Sequence, residues 1–201
     1  MIKLLDILLK ENDEESILVP RRSPEERKKN YLIATNKKIQ QYIKDGSKGD
    51  LNLNNTPTTS LPDNLKVGGG LDLSDTSITS LPDNFKVGGY LILHNTPITS
   101  LPNNLKVGGY LNLYKTQITS LPNNFKVGGY LYLNNTPITS LPDNIKVNDN
   151  LYLHKTQITS LPNNLTVDGD LYLNNTPLSK THTIDQIRQM VPGVKGKIIL
   201  K

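Results

Sequence analysis

Apolar side chains recur along most of this chain in a pattern that repeats every twenty positions. In the copy from Leu111 to Tyr130, LNLYKTQITSLPNNFKVGGY, they fall at Leu111, Leu113, Ile118, Leu121, Phe125 and Val127. The same pattern begins at Leu51, Leu71, Leu91, Leu131 and Leu151, with a broken copy at Leu171. Leu111 and Leu113 stand two apart, the spacing of a short strand with one buried face, and the wider gaps that follow suit an irregular return path. Each copy is therefore one coil with a strand side and a loop side. Burying its apolar side chains stabilises a coil by about 1.5–3 kcal/mol each, while fixing every backbone position costs roughly 1–2 kcal/mol, so a lone coil cannot fold. Stacked coils cover one another's apolar edges and pair their strands in parallel, which predicts a repeat solenoid whose two ends need caps.

The flanking segments read as those ends. In residues 1–22, Met1 to Lys10 is predicted as a short helix with Lys3, Asp6 and Lys10 on a narrow polar stripe. So much apolar surface must be covered, either by the first coil or by a partner, and Ile2, Leu5, Leu8 and Leu9 are the candidate assembly anchor. Glu11 to Glu15 follows as a solvated linker. In residues 23–48, Ser23-Pro24-Glu25-Glu26 is a capping box with proline at the first helical position, predicting a helix to Lys44 or Asp45 that stops at Gly46. Leu32, Ile39 and Ile43, with Tyr42 beside them, would close the first coil. The solenoid occupies 49–180. In 181–201, Thr183-Ile184-Asp185-Gln186 is another capping box, for a helix to about Met190 ended by Pro192-Gly193. Lys197 to Leu200 then repeats the strand pattern and predicts an eighth strand, with the helix replacing the loop side of the last coil.

The run Leu111-x-Leu113-x-x-Thr116-x-Ile118-x-x-Leu121-Pro122-x-x-Phe125 resembles the leucine-rich repeat, L-x-L-x-x-N-x-L-x-x-L-P-x-x-L, in its short bacterial form. The resemblance implies a parallel β-sheet along one side, an irregular convex side and α-helical caps at both ends. Two departures stand out. The ladder asparagine is replaced by Thr56, Thr76, Thr96, Thr116, Thr136, Thr156 and Thr176, whose hydroxyls can also donate and accept in a ladder of turns. Val127-Gly128-Gly129 stands where the motif has an apolar residue one place later, and suggests a bulge or tight bend. The wording TSLPxNLKVGG is also similar to repeats of uncharacterised bacterial and bacteriophage proteins. Because the fold hosts many unrelated binding tasks, function has to be read from the surface.

Composition narrows the chemistry. The chain has no cysteine, which removes a disulfide framework, a thiolate metal site and a cysteine nucleophile. The net charge is +5, yet Leu51 to Lys180 carries eight basic and eight acidic residues, so the excess lies in the two ends. The basic face of the first cap, Arg27, Lys28, Lys29, Lys37 and Lys38, reads as solvated, and no nucleic-acid partner is expected. No signal peptide and no membrane span are read from the sequence, which makes a cytoplasmic or virion-associated setting the expectation. His94 and His154 share one repeat column three coils apart, about 14 Å at parallel-strand spacing, too far for joint work on one metal. No catalysis, no cofactor and no metal site are expected. Threonine columns invite an ice-binding reading, but Thr116 and Thr119 lie three apart and cannot share a strand face. Lys66, Lys86, Lys106, Lys126 and Lys146 form a loop-side column beside Asn64, Asn84, Asn104, Asn124 and Asn144. The lysines read as solubility devices, an anionic partner being the secondary reading, and the asparagines as hydrogen-bond partners of the loop backbone.

The candidate site lies on the strand face. With Leu111 and Leu113 inward, Tyr110, Asn112 and Tyr114 must point outward on a concave sheet. The same columns supply Tyr90 and His94, Tyr130 and Tyr132, Tyr152 and His154, and Tyr172. Seven of the nine tyrosines are on this face. Tyrosine favours strands, and stacked rings stabilise a sheet without any ligand. Amphipathic rings gathered beside Asn and His are nonetheless what a recognition surface uses, which predicts a protein partner, with a glycan as the alternative.

Overall fold

A computed structural model describes residues 23–201. The helix and linker read in 1–22, with Ile2, Leu5, Leu8 and Leu9, lie outside the described residues.

The described residues open with helix α1, Pro24–Lys44, entered through the expected capping box: Ser23 Oγ accepts from the Glu26 amide and the Glu26 carboxylate accepts from the Ser23 amide. One short strand per coil follows, starting with Leu51–Asn52, and these strands form one parallel sheet. The register is strict: Leu51 stands beside Leu71, Leu71 beside Leu91, and so on to Leu151 beside Leu171. The eighth strand, Ile198–Ile199, pairs with Leu171–Tyr172 as expected. It is reached through two helices, α2 (Pro177–Thr181) and α3 (Ile184–Met190), lodged in the last coil.

The leucines that open each coil, the Ile78 to Ile158 column and the valines of the return path are all buried in one continuous core along the stack. The threonine column lies beside it, half-buried at Thr56 and buried from Thr76 to Thr176. From Thr56 to Thr176, each Oγ1 donates to the carbonyl three residues earlier in its own coil, over 2.5–2.8 Å. The threonine column thus closes a turn within each coil instead of joining coils. The residue before it is in the left-handed region in every coil, with φ between 53° and 59° from Asn55 to Asn175. Asn and Asp suit that conformation, whereas Lys115 and Lys155 adopt it at a cost.

The return path holds one regular element. Lys86–Val87, Lys106–Val107, Lys126–Val127, Lys146–Val147 and Thr166–Val167 form a second parallel ladder. The glycines after Val67, Val87, Val107 and Val127 do make a bend, but Gly108 and Gly128 are not in the left-handed region. Their requirement is space: a Cβ on Gly108 would collide with the carbonyl oxygen of Gly88, and one on Gly128 with that of Gly108.

Two expectations need correction. Leu32 does not close the first coil: it is 41% exposed, between the exposed Tyr31 and Ile33, and Thr35 and Ile39 are the buried residues of α1. Tyr42 and Ile43 pack on the core as expected. The loop asparagines bond mainly to one another from coil to coil, Asn104 to Asn84, Asn144 to Asn124 and Asn164 to Asn144, over 3.0–3.1 Å.

Candidate functional site

The sheet strands hold each outward side chain one strand spacing from its counterpart, and this decides how the rings meet. Tyr132, Tyr152 and Tyr172 occupy one column and stack face to face, with centroids 4.5 Å apart at both steps and interplanar angles of 5° and 16°. Tyr90 and Tyr110 stack in the neighbouring column at 5.2 Å and 13°. Tyr110 meets Tyr132 edge to face at 6.4 Å, which joins the two stacks. Tyr130 leans against both Tyr132 and Tyr152, and His154 touches Tyr152 edge to face. One aromatic array therefore runs diagonally from Tyr90 to Tyr172. His94 and Tyr114 form a separate tilted pair at 6.3 Å, with the Lys115 ammonium 5.1 Å from the Tyr114 ring centre.

Most of these side chains are half-buried by their neighbours, while Tyr130 is exposed. Face-to-face stacking spends ring faces on ring faces, so the stacked column offers edges and hydroxyls to solvent. Burial raises the Tyr90, Tyr110, Tyr132 and Tyr172 hydroxyls above the ordinary tyrosine value; for Tyr90 the Asp50 carboxylate adds to this, for Tyr110 Asp72 and Asp50 do. All four stay protonated at neutral pH, and Tyr90 already gives its proton to Asp50. His154 is pushed below the ordinary histidine value by burial first and then by Lys155, which keeps its ring neutral. His94 Nε2 lies 3.4 Å from an Asp75 carboxylate oxygen. Asn112 is less available than the pattern suggests, because its Oδ1 accepts from the Tyr114 amide at 2.9 Å.

Several contributors were not singled out by the sequence reading. Gly70 makes room for the array to begin, since a Cβ there would strike the Tyr90 ring. With that space open, the Tyr90 hydroxyl donates to Asp50 Oδ2 at 3.2 Å, and Asp50 Oδ1 also accepts from the Gly70 amide at 2.6 Å. Asn150 donates to the Tyr152 hydroxyl at 3.2 Å while its Oδ1 accepts from the Asp170 amide at 2.7 Å. The available signal was the triple glycine at 68–70, which interrupts the tyrosine column one coil before it starts. A groove of about 770 Å³ lies away from this face, on the Lys-Val ladder. Among the described residues no cluster of three or more metal-ligating side chains occurs.

A parallel sheet with one short strand per twenty-residue coil, an outward return path and helices near both ends defines a solenoid of the leucine-rich-repeat type. Among solved structures the chain is similar to the LRR domain of a Shigella effector, with a TM-score of 0.54 and 18% identity over 88% of this chain and 94% of that one. By sequence, no family model and no curated protein matches the chain. At that identity the likeness shows the fold alone. Among the described residues no helix is long and apolar enough to cross a membrane.

Proposed function

We propose that the chain is a non-catalytic interaction module that binds a protein partner through the face carrying Tyr90, Tyr110, Tyr130, Tyr132, Tyr152 and Tyr172, with His154 at its margin. The observation that carries this reading is the 4.5 Å stacking of Tyr132, Tyr152 and Tyr172. A sugar ring docks flat on an aromatic face, and these faces are occupied by other rings. Edges and hydroxyl donors on a preordered surface suit the backbone carbonyls and side chains of a protein, at little entropic cost because the rings are already fixed. Tyr130 supplies the exposed anchor. The glycan alternative is separated by two parallel assays with the full chain: co-purification of a stoichiometric protein partner supports the proposal, and selective glycan-array binding with no protein captured overturns it.

The wording of the repeat supports a structural or assembly role in a bacteriophage particle as the setting. In that setting Ile2, Leu5, Leu8 and Leu9 are the proposed anchor to the larger assembly. Deleting residues 1–16 should leave the solenoid's melting temperature unchanged and abolish assembly. A large drop in melting temperature would make the segment part of the cap instead.

A further inference from the structure

Among the described residues the two ends of the stack are closed to different degrees. At the first strand, α1 reaches the outer edge: Lys38 Nζ donates to the Asn52 carbonyl and the Tyr31 hydroxyl to the Asn55 carbonyl. At the other end, Arg188 donates to the carbonyls of Val194 and Gly196. In interior coils the carbonyls at those places accept amides of the next coil, as Val107 does from Gly128 and Gly169 from Gly196. Arg188 therefore stands in for a ninth coil on the return side. The sheet side has no such closure. Leu151 and Leu153 donate to Asp170 and Tyr172 of the next coil, and Leu171 and Leu173 to Lys197 and Ile199. Their counterparts in the eighth strand, Ile198 and Leu200, aim their amides the same way, outward, and no described residue accepts from them. An unpaired edge is a template for another strand. With the return side closed by Arg188, this end accepts one strand and no full coil.

The sequence holds one further copy of the strand wording. Asp6-Ile7-Leu8-Leu9 repeats the way coils open, Asp50-Leu51-Asn52-Leu53 and Asp170-Leu171-Tyr172-Leu173. A helix as short as the one read for Met1 to Lys10 is marginal by itself in water, so giving it up for a strand costs little. We propose that residues 6–9 of one copy add as a ninth strand, parallel to Ile198–Ile199 of a second copy, and so join the chain head to tail. The inference rests on the reading of the N-terminal segment as an assembly anchor and names its partner as this same chain.

The register is the one that every coil uses, Ile7 beside Ile198 and Leu8 beside Ile199, one step beyond Leu171 beside Ile198. The Ile198 and Leu200 amides then donate to the Asp6 and Leu8 carbonyls, and the Leu8 amide donates to the Ile198 carbonyl. Ile7 and Leu9 cover Ile198 and Leu200. Asp6 falls opposite Lys197, which is exposed and in no ion pair among the described residues. Opposite charges facing across strands stabilise the pairing. Lys10 falls opposite Lys201, a like-charge pair that the adjacent Glu11 counters. Two eighth strands pairing antiparallel, with Ile198 against Leu200, would instead set Lys197 against Lys201 twice, with no acid beside them. A copy reaches its own open edge only with residues 10–22 nearly straight along the stack: the ninth place lies about 38 Å from the first strand, against about 43–47 Å for that stretch fully extended.

The test is sedimentation velocity of the full chain over a range of concentrations. Species should grow past the dimer, because head-to-tail joining leaves a free strand at one end and a free edge at the other. Deletion of residues 1–16, or Leu8→Pro, which removes the donated amide, should weaken association roughly tenfold or more and leave the melting temperature of the solenoid unchanged. Asp6→Lys and Lys197→Glu should each weaken it several-fold, and the two combined in one chain should restore it to within about twofold. A monomer at every concentration, association that survives the deletion or Leu8→Pro, or no recovery in the double variant each overturns the proposal. The anchor reading is decided separately by co-purification: a different protein captured by the full chain and lost with residues 1–16 upholds that reading, and with a monomeric chain it overturns this one.

Discussion

Gly108 illustrates how a single position can be needed for reasons that local conformation does not reveal. The paired glycines suggested a bend that exploits backbone freedom, yet the only glycines with positive φ among the described residues are Gly46 and Gly49. What Gly108 supplies is the missing Cβ under the carbonyl of Gly88, and that demand exists only once coils are stacked. Gly108→Ala should therefore destabilise the fold by about 1–3 kcal/mol, the usual effect of overpacking, read as a lower midpoint in urea. A midpoint equal to wild type would show that the ladder can spread at no cost. His154 makes a pH-dependent contribution. Burial and Lys155 hold it below the ordinary value of 6.5, so the unfolded chain takes up the proton at higher pH than the folded one. Stability is accordingly unaffected well above pH 6.5 and falls as the pH drops from there toward the folded value. His154→Gln should lose less melting temperature than wild type between pH 8 and pH 5.5, and parallel losses would contradict this.

Among the elements, those with a periodic or capping signature were legible and those made by neighbours were not. Leu51 and its successors predict the sheet through period-two spacing, and Ser23 and Thr183 predict α1 and α3 through their capping boxes. The second ladder has no such signature, because two residues per coil offer no alternation to read. Helix α2 was hidden inside the last copy of the repeat, where Thr176 both closes its coil's turn and caps the helix with Ser179 as the reciprocal partner. The columns of the tyrosine face followed from the period, but ring orientation did not, since it depends on what the adjacent coil leaves free, as Gly70 does for Tyr90. The C-terminal cap has a further contact without a sequence signal: Arg188 donates to the carbonyls of Val194 and Gly196. Arg188→Met removes both bonds, each worth about 1.5–3 kcal/mol when the donor is charged. Amide exchange at Leu171 and Leu173, which donate to Lys197 and Ile199, should accelerate while exchange at Leu111 stays unchanged. Uniform acceleration would mean that the cap and the array open as one unit.

At the scale of the whole molecule, each coil meets only its neighbours, so stability is close to a sum of coil and interface contributions. Leu111 pairs with both Leu91 and Leu131 in the same register, so removing residues 111–130 brings Leu131 to the place Leu111 held. That deletion should give a folded, cooperatively melting protein with a lower melting temperature; an unfolded product would contradict the additive picture. The aromatic array, in contrast, belongs to no single coil. It needs Tyr90 at one end, Tyr172 at the other and the crossing from Tyr110 to Tyr132 in the middle. The measurement that bears most directly on its role is the affinity of the co-purified partner for a variant with Tyr110→Ser, Tyr130→Ser and Tyr132→Ser combined. These side chains lie outside the buried core, so the variant should stay folded, with a modest fall in melting temperature from lost ring contacts of about 0.5–1.5 kcal/mol each. The partner should bind it at least roughly tenfold more weakly than wild type. Unchanged affinity in the folded variant would contradict the account and move the recognition surface to the return side or the caps.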